Sequence, residues 1–197
     1  MLSFTIQHKN RIVALFKLFY LLLIVVMIVG RYAIYTESSW SNFFYMLGVT
    51  LGRTALIFLS ITLLPGISRR FGAASPLFTT LQFIRRYLGI SVFMCAITHA
   101  VLVKSNFFSF RLFEFMGFIA LSCLFLLFLT SNDYSVSHLK LWWKRLHSLV
   151  YFIVWILFAH IFLQGVHDVW MLLVAIVAVA EATSWIYFYY RRNVRIP

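Results

Sequence analysis

The sequence predicts an all-α integral membrane protein, a single bundle of six transmembrane helices. Three observations lead there. The chain of 197 residues is 63% hydrophobic and only 11% charged, with a mean hydropathy of +0.93, too apolar for a domain with a polar exterior. Its apolar residues gather in six runs, each near the ~20 residues a helix needs to cross the hydrocarbon core. At the ends of those runs stand 17 Lys and Arg, against five acids, for a formal charge of +12. Basic residues placed in this way mark membrane topology and contact with anionic headgroups, not nucleic-acid binding.

The first helix is expected over residues 11–33. Lys9, Arg11 and Lys17 precede the apolar run from Leu18 to Gly30. That order is shared with signal peptides, but no small-x-small cleavage site is evident and further spans follow, so an uncleaved helix is expected. Arg31, Glu37 and the Ser-rich ESSWS mark its exit. The second helix is expected over 43–64, with Arg53 inside it and Pro65-Gly66 as its stop. A basic loop with Arg69, Arg70, Pro76 and Arg85-Arg86 leads to a third helix over 86–103, which carries His99 near its far end.

The fourth helix is expected over 112–129. TSNDYS follows, whose Ser, Asn and Asp are exit and turn residues. A loop with His138, Lys140, Lys144 and Arg145 leads into a fifth helix over 144–164, which contains His147 and His160. Gly165 and Asp168 then turn the chain into a sixth helix over 169–190, with Glu181 inside it and YRRNVRIP after it. The basic loops fall before helix one, between two and three, between four and five, and after six. The positive-inside rule therefore places these loops and both termini in the cytoplasm, and helices three and five run in the same sense, from inside to outside.

Cys95 and Cys123 lie inside apolar runs and form no CxxC, so they read as small buried thiols, not as a disulfide framework, a zinc site or a covalent c-type haem attachment. Neither a GxGxxG after a strand nor a P-loop is present. Electrons for any redox chemistry must come from elsewhere.

The histidines are the costly groups, since an imidazole held in hydrocarbon must be paired or ligating. His99 follows Arg86, and His160 follows His147, by the same 13 positions. Parallel helices with equal rise then place His99 and His160 at one depth, toward the outer leaflet. Two neutral imidazoles at one depth, without cysteine or carboxylate, suit the two axial positions of a haem iron and fit calcium or magnesium poorly. The plain alternative for each is a core histidine bonded to a serine or a backbone carbonyl. Thirteen residues turn an ideal helix by about 220°, so His147 points away from His160 unless the helix bends or the inner site is approached from another side. Three roles stay open for His147: ligand of a second haem, hydrogen bond to a quinone or flavin headgroup, or cap of the helix entrance. Arg53 lies near the depth of His99 and His160 and would suit a haem propionate; snorkelling to the outer interface is the alternative. Glu181 is read as the partner of a bundle Arg or as a proton or quinone contact. His8 and His167 read as solvated, and so does His138 unless its loop folds inward to partner His147. Trp142, Trp143, Tyr187, Tyr189 and Tyr190 read as an interfacial belt.

LGRTALIFL at Leu51–Leu59, RRYLG at Arg85–Gly89 with His99 beyond it, LTSND at Leu129–Asp133, and WWKRLHSLVYFIVWILFAH at Trp142–His160 resemble the ferric reductase-like transmembrane domain family. Within it they are closest to the haem-binding membrane subunit of the bacterial periplasmic methionine sulfoxide reductase system, the MsrQ type. The resemblance covers about residues 51–164. It implies a b-type cytochrome of the bacterial inner membrane, with haem b between helices three and five, His99 and His160 as iron ligands and His147 as a further redox-site histidine. FMN or a quinone is a further cofactor it suggests. It implies electron transfer from quinol or a cytoplasmic flavin reductase to a periplasmic acceptor such as a molybdopterin sulfoxide reductase, as a subunit and not a complete enzyme. The family's larger members carry two histidines on helix three and a cytoplasmic flavin and NAD(P)H domain; this chain has Arg86 at the inner position, a candidate cofactor contact, and no such domain. LLPGISRRFG at Leu63–Gly72 looks more like stand-alone ferric reductase-like proteins. A non-redox scaffold or small transporter, with structural or metal-binding histidines, is the alternative from another class.

Overall fold

The computed structural model describes residues 8–73, 75–104, 111–165 and 168–194. They are all helical or turn, without a strand. Six stretches are long and apolar enough to cross a membrane: Asn10–Tyr35, Ser41–Phe71, Pro76–Val103, Leu112–Leu129, Leu141–Leu163 and Val169–Asn193. The helices are α1 (Lys9–Tyr35), α2 (Ser41–Arg70), α3 (Pro76–Val103), α4 (Leu112–Leu129), α5 (Asp133–Leu139), α6 (Leu141–His147), α7 (Leu149–Leu163) and α8 (Val169–Val194).

Packing between neighbours closes a ring in the order α2, α3, α4, α7, α8 and back to α2, while α1 lies outside it against α2 and α3. All five ring helices contribute to one core. Leu59 and Leu63 come from α2, Val92 and Phe93 from α3, Leu124 and Leu127 from α4, Ile153 and Val154 from α7, Val174 and Ala178 from α8. Outward faces are apolar too: Leu18, Ile28, Phe118, Phe152, Ile176 and Ile186 are all exposed, as hydrocarbon solvation permits. α1 is tied on by Tyr20, whose hydroxyl donates to the Tyr87 carbonyl at 2.7 Å.

Four sequence expectations need correction. Pro65-Gly66 does not stop the second helix: α2 continues to Arg70, with Pro65, Gly66, Ile67, Ser68 and Arg70 all buried. Neighbouring helices cover this turn, and a proline so enclosed is tolerated in a membrane helix because packing partners offset the missing N–H. Arg69 and Arg70 therefore lie in the last helical turn, not in a loop, and Gly72 at φ +78 ends the segment.

The third helix starts ten residues before Arg86. Ser75 caps it, its Oγ accepting from the Leu77 N–H at 3.3 Å with Pro76 in the first turn, the favoured way to open a helix. Between the fourth and fifth spans stands a further helix, α5, capped by Asn132, whose Oδ1 accepts from the Ser135 N–H at 2.7 Å. The fifth span is interrupted at Ser148, where the ladder tightens: the Tyr151 N–H reaches the Ser148 carbonyl at 3.1 Å, an i to i+3 bond of the 3₁₀ kind. The interruption falls between His147 and His160.

Candidate functional site

α3 and α7 stand on either side of α4 in the ring, and each carries one histidine within its last turn or so: His99 four residues before Val103, His160 three before Leu163. Both side chains are partly buried. Their bonding is alike. The His99 Nδ1–H donates to the Gly48 carbonyl of α2 at 2.9 Å. The His160 Nδ1–H donates to the Phe113 carbonyl of α4 at 2.6 Å. Each imidazole so held carries its proton on Nδ1 and keeps the Nε2 lone pair for a ligand, the arrangement that orients a metal-binding histidine and raises its basicity.

The carbonyl bonds are those of the plain core-histidine alternative, but they use only one nitrogen of each ring. A neutral imidazole with its N–H satisfied still has an acceptor at the other nitrogen. The donor set thus fits an iron that takes two axial nitrogens. Among the described residues no group of three or more His, Cys, Asp and Glu comes together, whereas a protein zinc site needs three or four such ligands.

The same end of the bundle holds further polar groups. Arg53 is exposed, one residue past Gly52, with its guanidinium over the Trp170 ring at 5.5 Å. Lys104 pairs with Glu114 at 2.6 Å, Glu114 also accepts from the Arg111 N–H at 2.8 Å, and Arg31 donates to the Lys104 carbonyl at 3.0 Å. Together these contacts join the ends of α1, α3 and α4.

At the opposite, basic end His147 differs from the other two. Its Nε2 lies 3.1 Å from Thr130 Oγ1, and that hydroxyl gives its own proton to the Leu126 carbonyl at 2.8 Å. The contact uses Nε2, the nitrogen that the carbonyl bonds of His99 and His160 leave open. Its ring stacks on Trp143 with centroids 4.1 Å apart, and the Trp143 indole N–H donates to the Thr130 carbonyl at 2.9 Å. Thr130 thus receives both side chains and joins the end of α4 to α6. Trp143, expected in the interfacial belt with Trp142, is turned inward by this contact. Trp142, Tyr187, Tyr189 and Tyr190 are exposed, as a belt requires.

Arg86 pairs with Asp133 at 2.6 Å, with side chains 38% and 91% exposed, and so joins α3 to α5 at the surface. His138 lies on exposed α5, its Nδ1 2.9 Å from the Tyr134 carbonyl and its ring stacked on Tyr134, so it does not reach His147. His167 falls outside the described residues. Cys95 is buried and Cys123 half-buried, both as free thiols.

Glu181 does pair with a bundle arginine. Its Oε1 lies 3.4 Å from Arg70 Nη1, which also donates to Ser184 Oγ at 3.0 Å. The Arg70 guanidinium lies over both the Tyr151 ring, at 4.4 Å, and the Trp185 ring, at 4.0 Å. One buried cation thus ties α2 to α7 and α8. Sequence reading placed Arg70 in a loop and offered Glu181 no particular partner; Thr130 and Tyr151 fell inside the resembling segments but were given no role of their own.

Comparison of the chain with family models, with curated proteins and with solved structures finds no match.

Proposed function

We propose that this chain is a membrane b-type cytochrome that passes electrons from quinol or a cytoplasmic flavin reductase to an acceptor on the far side of a bacterial inner membrane. The observation that carries the reading is the matched pair of imidazoles. His99 and His160 come from helices on opposite flanks of α4, at the same end of the ring, and each spends Nδ1–H on a backbone carbonyl and keeps Nε2 for iron. Haem b bound there would supply one-electron Fe(III)/Fe(II) chemistry. The chain would supply two oriented ligands and one arginine, Arg53, at the same end for a propionate. No bond of a substrate is made or broken by its own side chains.

The resemblance of Leu51–Gln164 to the ferric reductase-like domain supports an electron-transfer subunit, with a periplasmic methionine sulfoxide reductase of the molybdopterin type as acceptor. Basic Arg69, Arg85, Lys144, Arg145, Arg191 and Arg192 at the end opposite His99 support a cytoplasmic placement of that end and of both termini. The bonding of His147 through Nε2 to Thr130 favours a headgroup or structural role there over iron ligation. FMN or quinone is the class of cofactor that such a site would take.

The test is a visible spectrum of the purified protein. Wild type should show the Soret and α bands of a low-spin, six-coordinate haem b, and His99→Ala and His160→Ala should each lose them. A wild type that binds no haem refutes the function. Retention of six-coordinate haem in both variants refutes the ligands.

A further inference from the structure

Both candidate ligands rest on the same small device, repeated on two different helices. In α2 the Gly48 carbonyl accepts from His99, and four residues on stands Gly52. A Cβ built on Gly52 would lie 2.7 Å from His99 Nδ1 and 3.0 Å from both Cε1 and Cγ. In α4 the Phe113 carbonyl accepts from His160, and four residues on stands Gly117. A Cβ there would lie 2.9 Å from His160 Cε1 and 3.0 Å from Nδ1.

The four-residue interval follows from helix geometry. A helical carbonyl at position i points along the axis toward the N–H of i+4, and its second lone pair is open to a donor from a neighbouring helix. A ring that donates there must lie over residue i+4. Side chains in a helix lean toward its N-terminus, so a Cβ at i+4 would fill the space the ring occupies. Only glycine leaves that space. Contacts under about 3 Å cannot be absorbed by swinging a flexible tip, because the atoms met are in the ring itself, close to its attachment.

From this we infer that Gly52 and Gly117 are positioning residues: each, with the carbonyl four residues before it, forms a seat that holds one imidazole in the orientation presenting Nε2 to iron. The inference rests on the haem reading and adds to it two residues, on helices that bear no ligand. It also explains a constraint that packing alone does not. Gly89, in the same membrane span as His99, has open space where its Cβ would be, whereas the two seat glycines are filled by histidine.

The experiment compares Gly52→Ala and Gly117→Ala with two controls in the full-length protein. Gly89→Ala should be silent. Gly30→Ala crowds Leu102 and Phe44 side chains at 2.7 Å without meeting a histidine, and so reports ordinary crowding. Optical and electron paramagnetic resonance spectra should show loss of the low-spin, six-coordinate signal in both seat variants and its retention in both controls. Added imidazole should restore six-coordination to the seat variants. Wild-type spectra in the seat variants overturn the inference, as does an equal loss in Gly30→Ala.

Where a seat variant fails to accumulate in the membrane, the double variant decides without any haem. If the clash is with the ring, His99→Ala/Gly52→Ala accumulates as well as His99→Ala alone, and His160→Ala/Gly117→Ala as well as His160→Ala alone. Persisting defects in both doubles overturn the seats. A wild type without haem refutes the function instead, and the double-variant comparison still reads the seats.

Discussion

Replacing Glu181 by alanine should be among the most damaging single changes in the basic half of the bundle. Arg70 and Glu181 side chains are only 9% and 6% exposed, with 3.4 Å between charged atoms. At that separation and an effective dielectric constant of about 20, the gross attraction is about 5 kcal/mol. Desolvation cancels much of this, so the pair adds little net stability over an apolar replacement. Removal of one partner is different, because it leaves a buried charge uncompensated, which costs about 3–5 kcal/mol.

Arg70 would retain Ser184 and the faces of Tyr151 and Trp185. A desolvated cation over an aromatic face is held by about 2 kcal/mol. The expected loss for Glu181→Ala is therefore at the lower end, about 3 kcal/mol. Glu181→Gln should lose nearly as much, since it preserves shape but not charge. Arg70→Met/Glu181→Leu should recover most of the loss, since no charge is left buried. Unfolding by sodium dodecyl sulfate titrated into dodecyl maltoside micelles, followed by circular dichroism, measures these three variants and wild type, with Arg70→Met and Glu181→Leu singly to complete a double-mutant cycle. A loss under about 1 kcal/mol for Glu181→Ala, the range of exposed pairs, or strict additivity in the cycle, would show that the pair is not coupled in the way its burial implies.

Three further outcomes follow. Thr130→Val removes the hydroxyl partner of the His147 ring and should lower stability by about 1–2 kcal/mol while leaving the haem spectrum unchanged; a changed spectrum would make His147 an iron ligand. Arg86→Gln breaks a surface pair with Asp133 and should change stability by less than about 1 kcal/mol, with haem content as in wild type; loss of haem would return Arg86 to the cofactor. Lys140 joins α5 to α6 at φ 45 and ψ −109, a conformation that strains any residue with a Cβ, so Lys140→Gly should stabilise the protein by about 1 kcal/mol, read in the same detergent titration, and a destabilisation would show that the Lys140 side chain contributes more than its backbone strain takes away.

The six spans were legible because length and apolarity are properties of contiguous residues. Leu112–Leu129 falls where the residues alone place it, and the others agree in position if not in their ends. The ends fail where the sequence rule was learned in water. Pro65-Gly66 would stop an exposed helix, but here the turn is enclosed by other helices and the chain continues to Arg70. The position of His99 and His160 near the ends of their helices was also legible, since rise per residue is a local constant and parallel direction follows from counting crossings.

What the sequence by itself determined, then, is how many helices cross, in what order, and how far along each one a residue lies. Tertiary structure alone decided which way each residue faces and which helices adjoin. In a soluble helix the polar stripe would reveal the buried face, but here lipid and core are both apolar, so the residues carry almost no record of rotation about the axis. Gly52 beside His99, Gly117 beside His160, Thr130 under His147 and Arg70 against Glu181 all depend on that rotation. For that reason the bonding that goes with the separation of His99 and His160 from His147 became visible only when their partners were seen: a carbonyl at Nδ1 for His99 and His160, a threonine hydroxyl at Nε2 for His147.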